Sequence, residues 1–239
     1  NFSFGERIHP LMSSPSVQSV GHKRDENHHT KVTKSMSSKT FIDLGVPTKI
    51  ADALRAQGIG SPFPIQVDTL PDTLSGRDVL GRGKTGSGKT LAFSIPMVAR
   101  LADSKASVSG SKKPRGLVLA PTRELATQIS NTIQPLADVM NLKVTTIFGG
   151  VSQNKQVQAI RNGVDIIVAT PGRLEDLMGQ GILKLDQIEI TVLDEADHMA
   201  DLGFLPGVTR ILNATPKGGQ RLLFSATLDN GVQKLVDKF

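Results

Sequence analysis

The sequence has 239 residues, of which 38% are hydrophobic, and this is enough for one domain with a substantial core, with or without a tail. The absence of cysteine excludes disulfide bonds, thiolate zinc sites and a thiol nucleophile, and the absence of any apolar stretch near the roughly 18 residues of a membrane span predicts a soluble protein. The 28 Lys and Arg against 22 Asp and Glu give a formal net charge of +6, a modest excess that fits a polyanionic partner.

The first 39 residues differ in composition from the rest of the chain. They are rich in Ser, His and Lys, contain few apolar residues and show no sustained helical or strand period. Such a stretch cannot bury enough apolar surface to fold alone. The sequence therefore predicts a disordered tail over residues 1–39, with a nucleic-acid-binding arm as the alternative interpretation.

From residue 40 onward, short runs of Val, Ile and Leu alternate with longer segments of helical pattern, as in βαβ units. The runs are almost continuously apolar, which is typical of strands buried on both faces of a parallel sheet. The predicted strands are residues 78–81, 116–120, 143–148, 164–169, 190–194 and 221–225. Residues 40–239 are thus predicted to form an α/β domain with a doubly wound, mostly parallel sheet and helices on both faces.

Helices between these strands are predicted from their caps. Thr122 precedes one helical segment, and Thr170 precedes another that begins with Pro171, a favourable first helical residue. A helix near residue 50 is expected to stop at Gly58. The segment 102–116 is rich in Ser, Gly and Lys, and we expect it to be an exposed loop.

The stretch GRGKTGSGKT, residues 81–90, lies between a predicted strand and a predicted helix. Residues 83–90 match the phosphate-binding pattern G-x-x-x-x-G-K-[ST] in the context that this loop requires. Its glycines let backbone N–H groups point at phosphate oxygens, and the following helix adds its positive end. A structural turn with chance glycines is the alternative. The residues expected to bind the phosphates of a nucleotide are Thr85, Gly86, Ser87, Gly88, Lys89 and Thr90. Lys89 would reach the β- and γ-phosphates as a catalytic residue, and the Thr90 hydroxyl would also ligate Mg²⁺.

An acidic tetrapeptide, residues 194–197, follows the predicted strand ITVLD. Asp194 is expected to hold Mg²⁺, directly or through water, and Glu195 to polarise the water that attacks the γ-phosphate. Taken alone, such a string is equally typical of a solvated helix start. Its position after a buried run and downstream of a phosphate-binding loop favours the catalytic interpretation.

Together, DEAD at residues 194–197 and TGSGKT at residues 85–90 resemble the DEAD-box family of ATP-dependent RNA helicases. The resemblance extends from about Phe41 to the end of the sequence, because further family motifs occur in the family's order. They are GIGSPFPIQ (58–66), PTRELA (121–126), GG (149–150), TPGR (170–173) and SAT (225–227). The resemblance implies a RecA-like domain that binds ATP and Mg²⁺ and hydrolyses ATP in step with RNA binding and local unwinding of duplexes.

The resemblance also assigns roles to single residues. Gln66 would read the adenine edge and Phe41 would stack on the base, although a helix-start role and a packing role are the alternatives. The residues that would contact RNA phosphates are Arg123, Gly150, Thr170 and Arg173. The alternatives are that Thr170 is an ordinary helix cap and that Arg123 is a solvated residue of a first helical turn. The residues that would couple hydrolysis to RNA are Asp197, Ser225 and Thr227, although a Ser/Thr cap at a strand end would look the same.

The sequence departs from the family pattern in two places. Gly83 and Lys84 stand where the family more often has Ala and Gln, which should not impair phosphate binding. The sequence stops at Phe239, and no part of it resembles the second helicase domain with its arginine finger. We therefore expect the chain to bind nucleotide, to hydrolyse it weakly and not to unwind duplexes. We also expect a cytoplasmic monomer that binds RNA through the RNA backbone. The alternatives are a truncated nucleotide- or RNA-binding regulator and a P-loop ATPase that acts on DNA.

Overall fold

A computed structural model describes residues 39–104 and 113–239, apart from the side chain of Asn230. The strands are β1 (Val79–Arg82), β2 (Gly116–Leu119), β3 (Val144–Ile147), β4 (Ile166–Ala169), β5 (Ile190–Asp194) and β6 (Gln220–Ser225). The helices are α1 (Thr48–Ala56), α2 (Pro64–Leu74), α3 (Lys89–Asp103), α4 (Arg123–Val139), α5 (Asn154–Asn162), α6 (Pro171–Gly179), α7 (Ala196–Asp201), α8 (Leu205–Asn213) and α9 (Asn230–Lys238).

The six strands form one sheet in the order β1-β6-β5-β2-β4-β3, and every neighbouring pair is parallel. Parallel neighbours require crossover connections, which the helices supply. The carboxyl ends of all six strands therefore lie along the same edge of the sheet. The predicted α/β fold is confirmed, and the sheet is parallel throughout.

Both faces of the sheet are covered by apolar side chains, because successive strand residues point to opposite sides. In β2, Val118 belongs to the core on one face, whereas Leu117 and Leu119 belong to the core on the other. The first core includes buried residues of α1 to α4, and the second includes residues of α5, α6 and α8. This two-sided burial explains why the strand sequences are almost continuously apolar.

The helix caps follow the sequence signals. The Thr122 hydroxyl accepts a hydrogen bond from the Leu125 N–H at 3.2 Å and so caps α4. Thr170 precedes α6, which begins at Pro171, and α1 ends two residues before Gly58. These helix starts and stops were predicted correctly.

The prediction of an exposed loop over 102–116 was wrong at both ends. Helix α3 continues to Asp103, and Arg115 is only 2% exposed. The Arg115 guanidinium lies 3.1 Å from the Asp165 carboxylate and 3.4 Å from that of Glu189, and it donates to the Leu101 carbonyl at 2.8 Å. A buried arginine with several partners is stable where an unpaired one would not be. Residues 105–112 lie outside the described part of the chain.

The predicted tail falls, apart from Lys39, outside the described residues. Within the two described stretches, none of the helices combines the length and apolar character that a membrane span requires.

Candidate nucleotide and RNA site

The strand order divides the predicted site residues into two groups along the carboxyl edge of the sheet. Strands β1, β6 and β5 are neighbours, and they lead into residues 83–90, 225–227 and 194–197. Strands β2, β4 and β3 are neighbours on the other half, and they lead into residues 122–123, 170–173 and 149–150. The candidate nucleotide residues and the candidate RNA residues therefore occupy adjoining halves of one edge.

The loop after β1 has the backbone that its glycines permit. Gly86 and Gly88 have φ of +82° and +89°, a region that other residues rarely adopt. The loop is tied to the next strand because the Gly83 N–H donates to the Ser225 carbonyl at 3.2 Å. The Ser87 Oγ is buried and forms no hydrogen bond within the described chain, and a Cβ on Gly83 would come within 2.6 Å of it. A buried hydroxyl without a partner is unfavourable in the chain as it stands. The curl that the left-handed glycines permit, followed by the start of α3, fits a phosphate group.

Lys89, the first residue of α3, folds back across the same loop. Its ammonium donates to the Gly83 carbonyl at 2.7 Å, and the residue is 7% exposed. The hydrogen bond holds a positive charge over the loop backbone. The charge also reaches Asp194 at the end of β5, because attraction by Lys89 opposes the effect of burial on the pKa of that carboxyl.

Gln66 is fully buried, and both ends of its amide are engaged within the chain. The Phe63 N–H donates to its Oε1 at 2.9 Å, and its Nε2 donates to the Gly88 carbonyl at 3.0 Å. The first bond is the helix-start role considered from the sequence. The second joins α2 to the phosphate-binding loop. The second N–H of Nε2 and the second lone pair of Oε1 remain for an adenine, but the side chain is fully buried and must first become accessible.

Phe41 lies in the apolar core and is 3% exposed. The residue also lines a small cavity together with Arg55 and Gly60. Stacking of a base on Phe41 therefore stays a prediction. The neighbouring aromatic Phe63 behaves differently. It is 54% exposed, and its Cδ2 lies where a Cβ on Gly88 would be only 2.6 Å away. An exposed aromatic face therefore lies directly against the phosphate-binding loop.

Asp194 ends β5 and is 2% exposed. Burial raises the pKa of its carboxyl to about 6, attraction by Lys89 opposes that rise, and repulsion by Glu195 adds to it. Its Oδ1 accepts a hydrogen bond from the Glu195 N–H at 3.0 Å. A buried carboxylate close to a lysine and beside other carboxylates is a suitable ligand for a divalent cation.

The three residues expected to couple hydrolysis to RNA are joined by hydrogen bonds. Asp197 Oδ2 accepts from the Thr227 N–H at 2.9 Å and from the Thr227 hydroxyl at 3.0 Å. The Asp197 N–H donates to the Ser225 Oγ at 3.2 Å. Burial works against ionisation of Asp197, but the hydrogen bonds from Ser225 and Thr227 outweigh it and lower the pKa. The chain after β6 is thereby attached to the first turn of α7.

On the other half of the edge, Arg123 begins α4 and reaches the loop after β3. Its guanidinium lies 5.6 Å from the centre of the Phe148 ring, a cation–π distance. It also lies against Gly150, which has φ of +76°, so that a Cβ there would collide with the guanidinium. The backbone therefore favours glycine at position 150, and a larger residue would displace the Arg123 guanidinium.

Arg173 contacts the same loop from α6. Its two terminal nitrogens donate to the Val151 carbonyl at 3.2 and 3.3 Å. Thr170 precedes that helix, but its hydroxyl makes no capping hydrogen bond, in contrast with Thr122. The structure therefore brings Arg123, Gly150 and Arg173 around one loop, with Thr170 at an adjacent helix start.

No group of three or more His, Asp and Glu side chains able to hold a metal ion is present within residues 39–104 and 113–239. Magnesium in nucleotide sites often has only one or two protein ligands, and phosphate oxygens and water complete its shell. Asp194 and Thr90 fit that smaller set.

Two residues beside the site were not predicted from the sequence. Phe63 lies within the segment 58–66, and it differs from the buried Phe41 in that its side chain is exposed to solvent. His198 lies one residue after the acidic tetrapeptide, and its Nδ1 is 3.3 Å from the Glu195 Oε2. Helical spacing is the signal that could have found it, since residues 195 and 198 are three apart.

Comparison with known proteins agrees with this arrangement. The family model described as DEAD/DEAH box helicase matches residues 63–235. The chain is 43% identical over 209 residues to DEAD-box ATP-dependent RNA helicase 5 of Arabidopsis thaliana, covering 86% of this chain and 38% of that protein. It is 42% identical over 203 residues to ATP-dependent RNA helicase RhlB of Histophilus somni, covering 84% of this chain and 48% of that protein.

Among solved structures, the fold is similar to that of a DEAD box protein from the hyperthermophile Methanococcus jannaschii. The TM-score is 0.77 at 35% identity, and the match covers 84% of this chain and 53% of that one. The chain spans less than half the length of the two curated relatives. Sequence motifs, sheet order and family match agree, and the chain belongs to the DEAD/DEAH box helicase family.

Proposed function

We propose that residues 40–239 are the ATP-binding domain of an ATP-dependent RNA helicase, and that residues 1–39 are a tail. The observation that carries the proposal is the shared carboxyl edge. Strands β1, β6 and β5 present the phosphate-binding loop and the acidic tetrapeptide, and strands β2, β4 and β3 present two arginines and a helix start beside them. One rigid sheet thus links a nucleotide site to a polyanion site. A cytoplasmic location stays a prediction.

ATP fits the first half of the edge. The backbone of residues 85–88 and the start of α3 would hold the phosphates, and the buried Ser87 hydroxyl would gain the hydrogen bond that it lacks. Lys89 would exchange the Gly83 carbonyl for phosphate oxygens, which carry more negative charge. Phe41 would stack on the base, and Phe63 offers a second, exposed ring. Gln66 would read the adenine edge with the N–H and the lone pair that its present bonds leave unused.

Thr90 and Asp194 would hold Mg²⁺, which neutralises charge on the phosphate oxygens when bound. Glu195 would orient the attacking water and accept its proton. Its backbone, held by the bond from its own N–H to Asp194, sets the carboxylate beside the cation ligand. Asp197, Ser225 and Thr227 would transmit changes at this carboxylate pair to β6 and beyond.

RNA would bind to the second half. Arg123 and Arg173 are arranged around the loop at residues 148–151, and the guanidinium groups and the free Thr170 hydroxyl are suited to phosphate oxygens. Such contacts read no base sequence. We therefore propose RNA of any sequence as the substrate, recognised through its backbone and 2′-hydroxyl groups.

Full activity requires more than these residues. Because the curated relatives are more than twice as long as the matched segment, we propose that a second RecA-like domain completes the ATP and RNA sites. An arginine finger from such a domain contributes about 10³ to 10⁵ in rate in related NTPases. The 239 residues alone would bind nucleotide, hydrolyse it slowly and not unwind duplexes.

The test is ATP turnover with and without single-stranded RNA. The 239-residue chain is compared with the same chain joined to a second RecA-like helicase domain, and Lys89→Ala in each serves as the blank. RNA-stimulated turnover only in the joined chain supports the proposal. Equal stimulation by DNA of the same base sequence would instead indicate a DNA-dependent ATPase, and RNA-stimulated turnover by the 239 residues alone would refute the two-domain requirement.

A further inference from the structure

Glu195 occupies an unusual backbone position. Its φ of +52° and ψ of +52° are left-handed, and only one other non-glycine residue in the described stretches, Asn141, has a positive φ. A left-handed conformation costs a residue with a side chain about 1 kcal/mol. The turn directs the chain from β5 into the short helix α7. The Glu195 carboxylate, carried by this turn, keeps one orientation only if a hydrogen-bond donor holds it.

His198 supplies that partner. Its Nδ1 lies 3.3 Å from the Glu195 Oε2, and the two side chains are 45% and 27% exposed. No other hydrogen bond to the Glu195 carboxylate is formed by the residues that the structure describes. An ionised carboxylate can only accept, so the contact requires the proton on Nδ1 of His198. The remaining four histidines of the chain lie within residues 1–38.

The geometry points to His198 as a positioning residue for the proposed ATPase. We propose that its Nδ1–H holds the Glu195 carboxylate in the orientation needed to align the attacking water. This inference rests on the proposed role of Glu195. It differs from a simple surface pair at helical spacing, because a surface pair would affect stability slightly and leave the chemical step unchanged.

The first test measures the contact without any turnover. In the 239-residue chain labelled with ¹⁵N, the imidazole spectrum at about pH 8.5, where ordinary imidazoles are neutral, reports which nitrogen carries the proton. The signals of His198 are those that vanish in His198→Asn. We expect the Nδ1–H form in the native chain and the Nε2–H form in Glu195→Ala. An Nε2–H form in the native chain, or no change on removing Glu195, would overturn the inference.

The second test measures the chemical step in the chain joined to a second helicase domain. His198→Leu removes the donor and is expected to lower kcat about 3- to 10-fold, as expected for one hydrogen bond, with KM for ATP unchanged. His198→Asn places an amide N–H near the position of Nδ1 and is expected to restore most of the rate. Asp201→Ala, exposed on the same helix, is the matched control and should leave kcat unchanged.

Two outcomes refute the positioning role: kcat of His198→Leu equal to that of the native chain, or a loss that His198→Asn does not recover. The double variant Glu195→Gln/His198→Leu should be no slower than Glu195→Gln alone, since the histidine acts only through the carboxylate. If the native joined chain shows no RNA-stimulated turnover, the proposed function itself fails, and the imidazole spectrum still tells whether the contact exists.

Discussion

Asp194→Asn is expected to stabilise the chain in the absence of nucleotide, although it removes the carboxylate proposed to hold Mg²⁺. Burial raises the pKa of the Asp194 carboxyl from its ordinary value of 3.8 to about 6. A carboxyl whose pKa is higher in the folded chain than in the unfolded chain binds its proton more tightly when folded. Its ionisation therefore lowers the free energy of unfolding as the pH rises from 3.8 to 6, and the loss is complete above pH 6.

The size of the effect follows from the same interval. The rise of the pKa from 3.8 to about 6 corresponds to a loss of at most about 3 kcal/mol in the free energy of unfolding, since each pKa unit is about 1.4 kcal/mol. Asn keeps the Oδ1 acceptor for the Glu195 N–H, which lies at 3.0 Å. At neutral pH we expect Asp194→Asn to raise the free energy of unfolding by roughly 1 to 3 kcal/mol and the melting temperature by several degrees.

The measurement is urea unfolding followed by circular dichroism, because the chain has no Trp or Tyr for fluorescence. Unfolding free energies at about pH 7.5 and about pH 4 are compared for the native chain, Asp194→Asn and Asp201→Asn. The gain for Asp194→Asn should disappear at the lower pH, where the buried carboxyl is protonated, and the exposed Asp201 should show no gain at either pH. A gain that is equal at both pH values, or no gain at neutral pH, would refute the assignment of the cost to buried charge.

Four further predictions concern other parts of the domain. Phe63→Ala should weaken ADP binding about 5-fold, because an exposed aromatic face is lost; calorimetric titration measures this. Phe41→Ala should lower the free energy of unfolding by about 3 to 5 kcal/mol, because it leaves a cavity in the core. Gly150→Ala should displace the Arg123 guanidinium and weaken RNA binding about 3- to 10-fold, equally for RNAs of different sequence, in a filter-binding assay, and an unchanged RNA affinity would count against this loop as an RNA contact. Arg115→Met should lower the free energy of unfolding by about 2 kcal/mol. This is less than the loss of a fully buried ion pair would cost, because both partner carboxylates are partly exposed. ATP affinity should not change, because Arg115 lies at the opposite edge of the sheet.

The strands were predictable from the sequence because each is a short apolar run, and the two-sided burial of a parallel sheet produces such runs. Strand order was not predictable in this way. Strands β1 and β6 are neighbours in the sheet, although they lie far apart in the sequence: Val79 pairs with Leu222. No local pattern reports such a pairing. The family resemblance assigned residues 225–227 to the coupling of hydrolysis to RNA, but it did not place them beside residues 83–90.

The roles of single side chains were less predictable than the positions of motifs. Phe41 and Phe63 are the same residue type near the same motif, yet one is 3% exposed and the other 54%. The difference depends on packing between α1, α2 and the sheet, which composition does not record. Gln66 likewise occupies the position that the motif requires. Its bond from the Phe63 N–H is the helix-start role that the sequence offered, but its bond to the Gly88 carbonyl joins distant segments and follows from no local pattern.

Three unfavourable local features lie in the proposed nucleotide site. Asp194 is a buried carboxyl with a raised pKa, Ser87 has a buried hydroxyl without a partner, and Glu195 has a left-handed backbone. At the opposite edge, by contrast, the buried Arg115 is paired with two carboxylates and a carbonyl. A bound cation would relieve the cost of the buried Asp194 carboxylate, and a bound phosphate could pair with the Ser87 hydroxyl, whereas Arg115 needs no ligand. Binding of ATP should therefore stabilise the domain by more than the new contacts alone would predict, because it also removes costs already present in the folded chain.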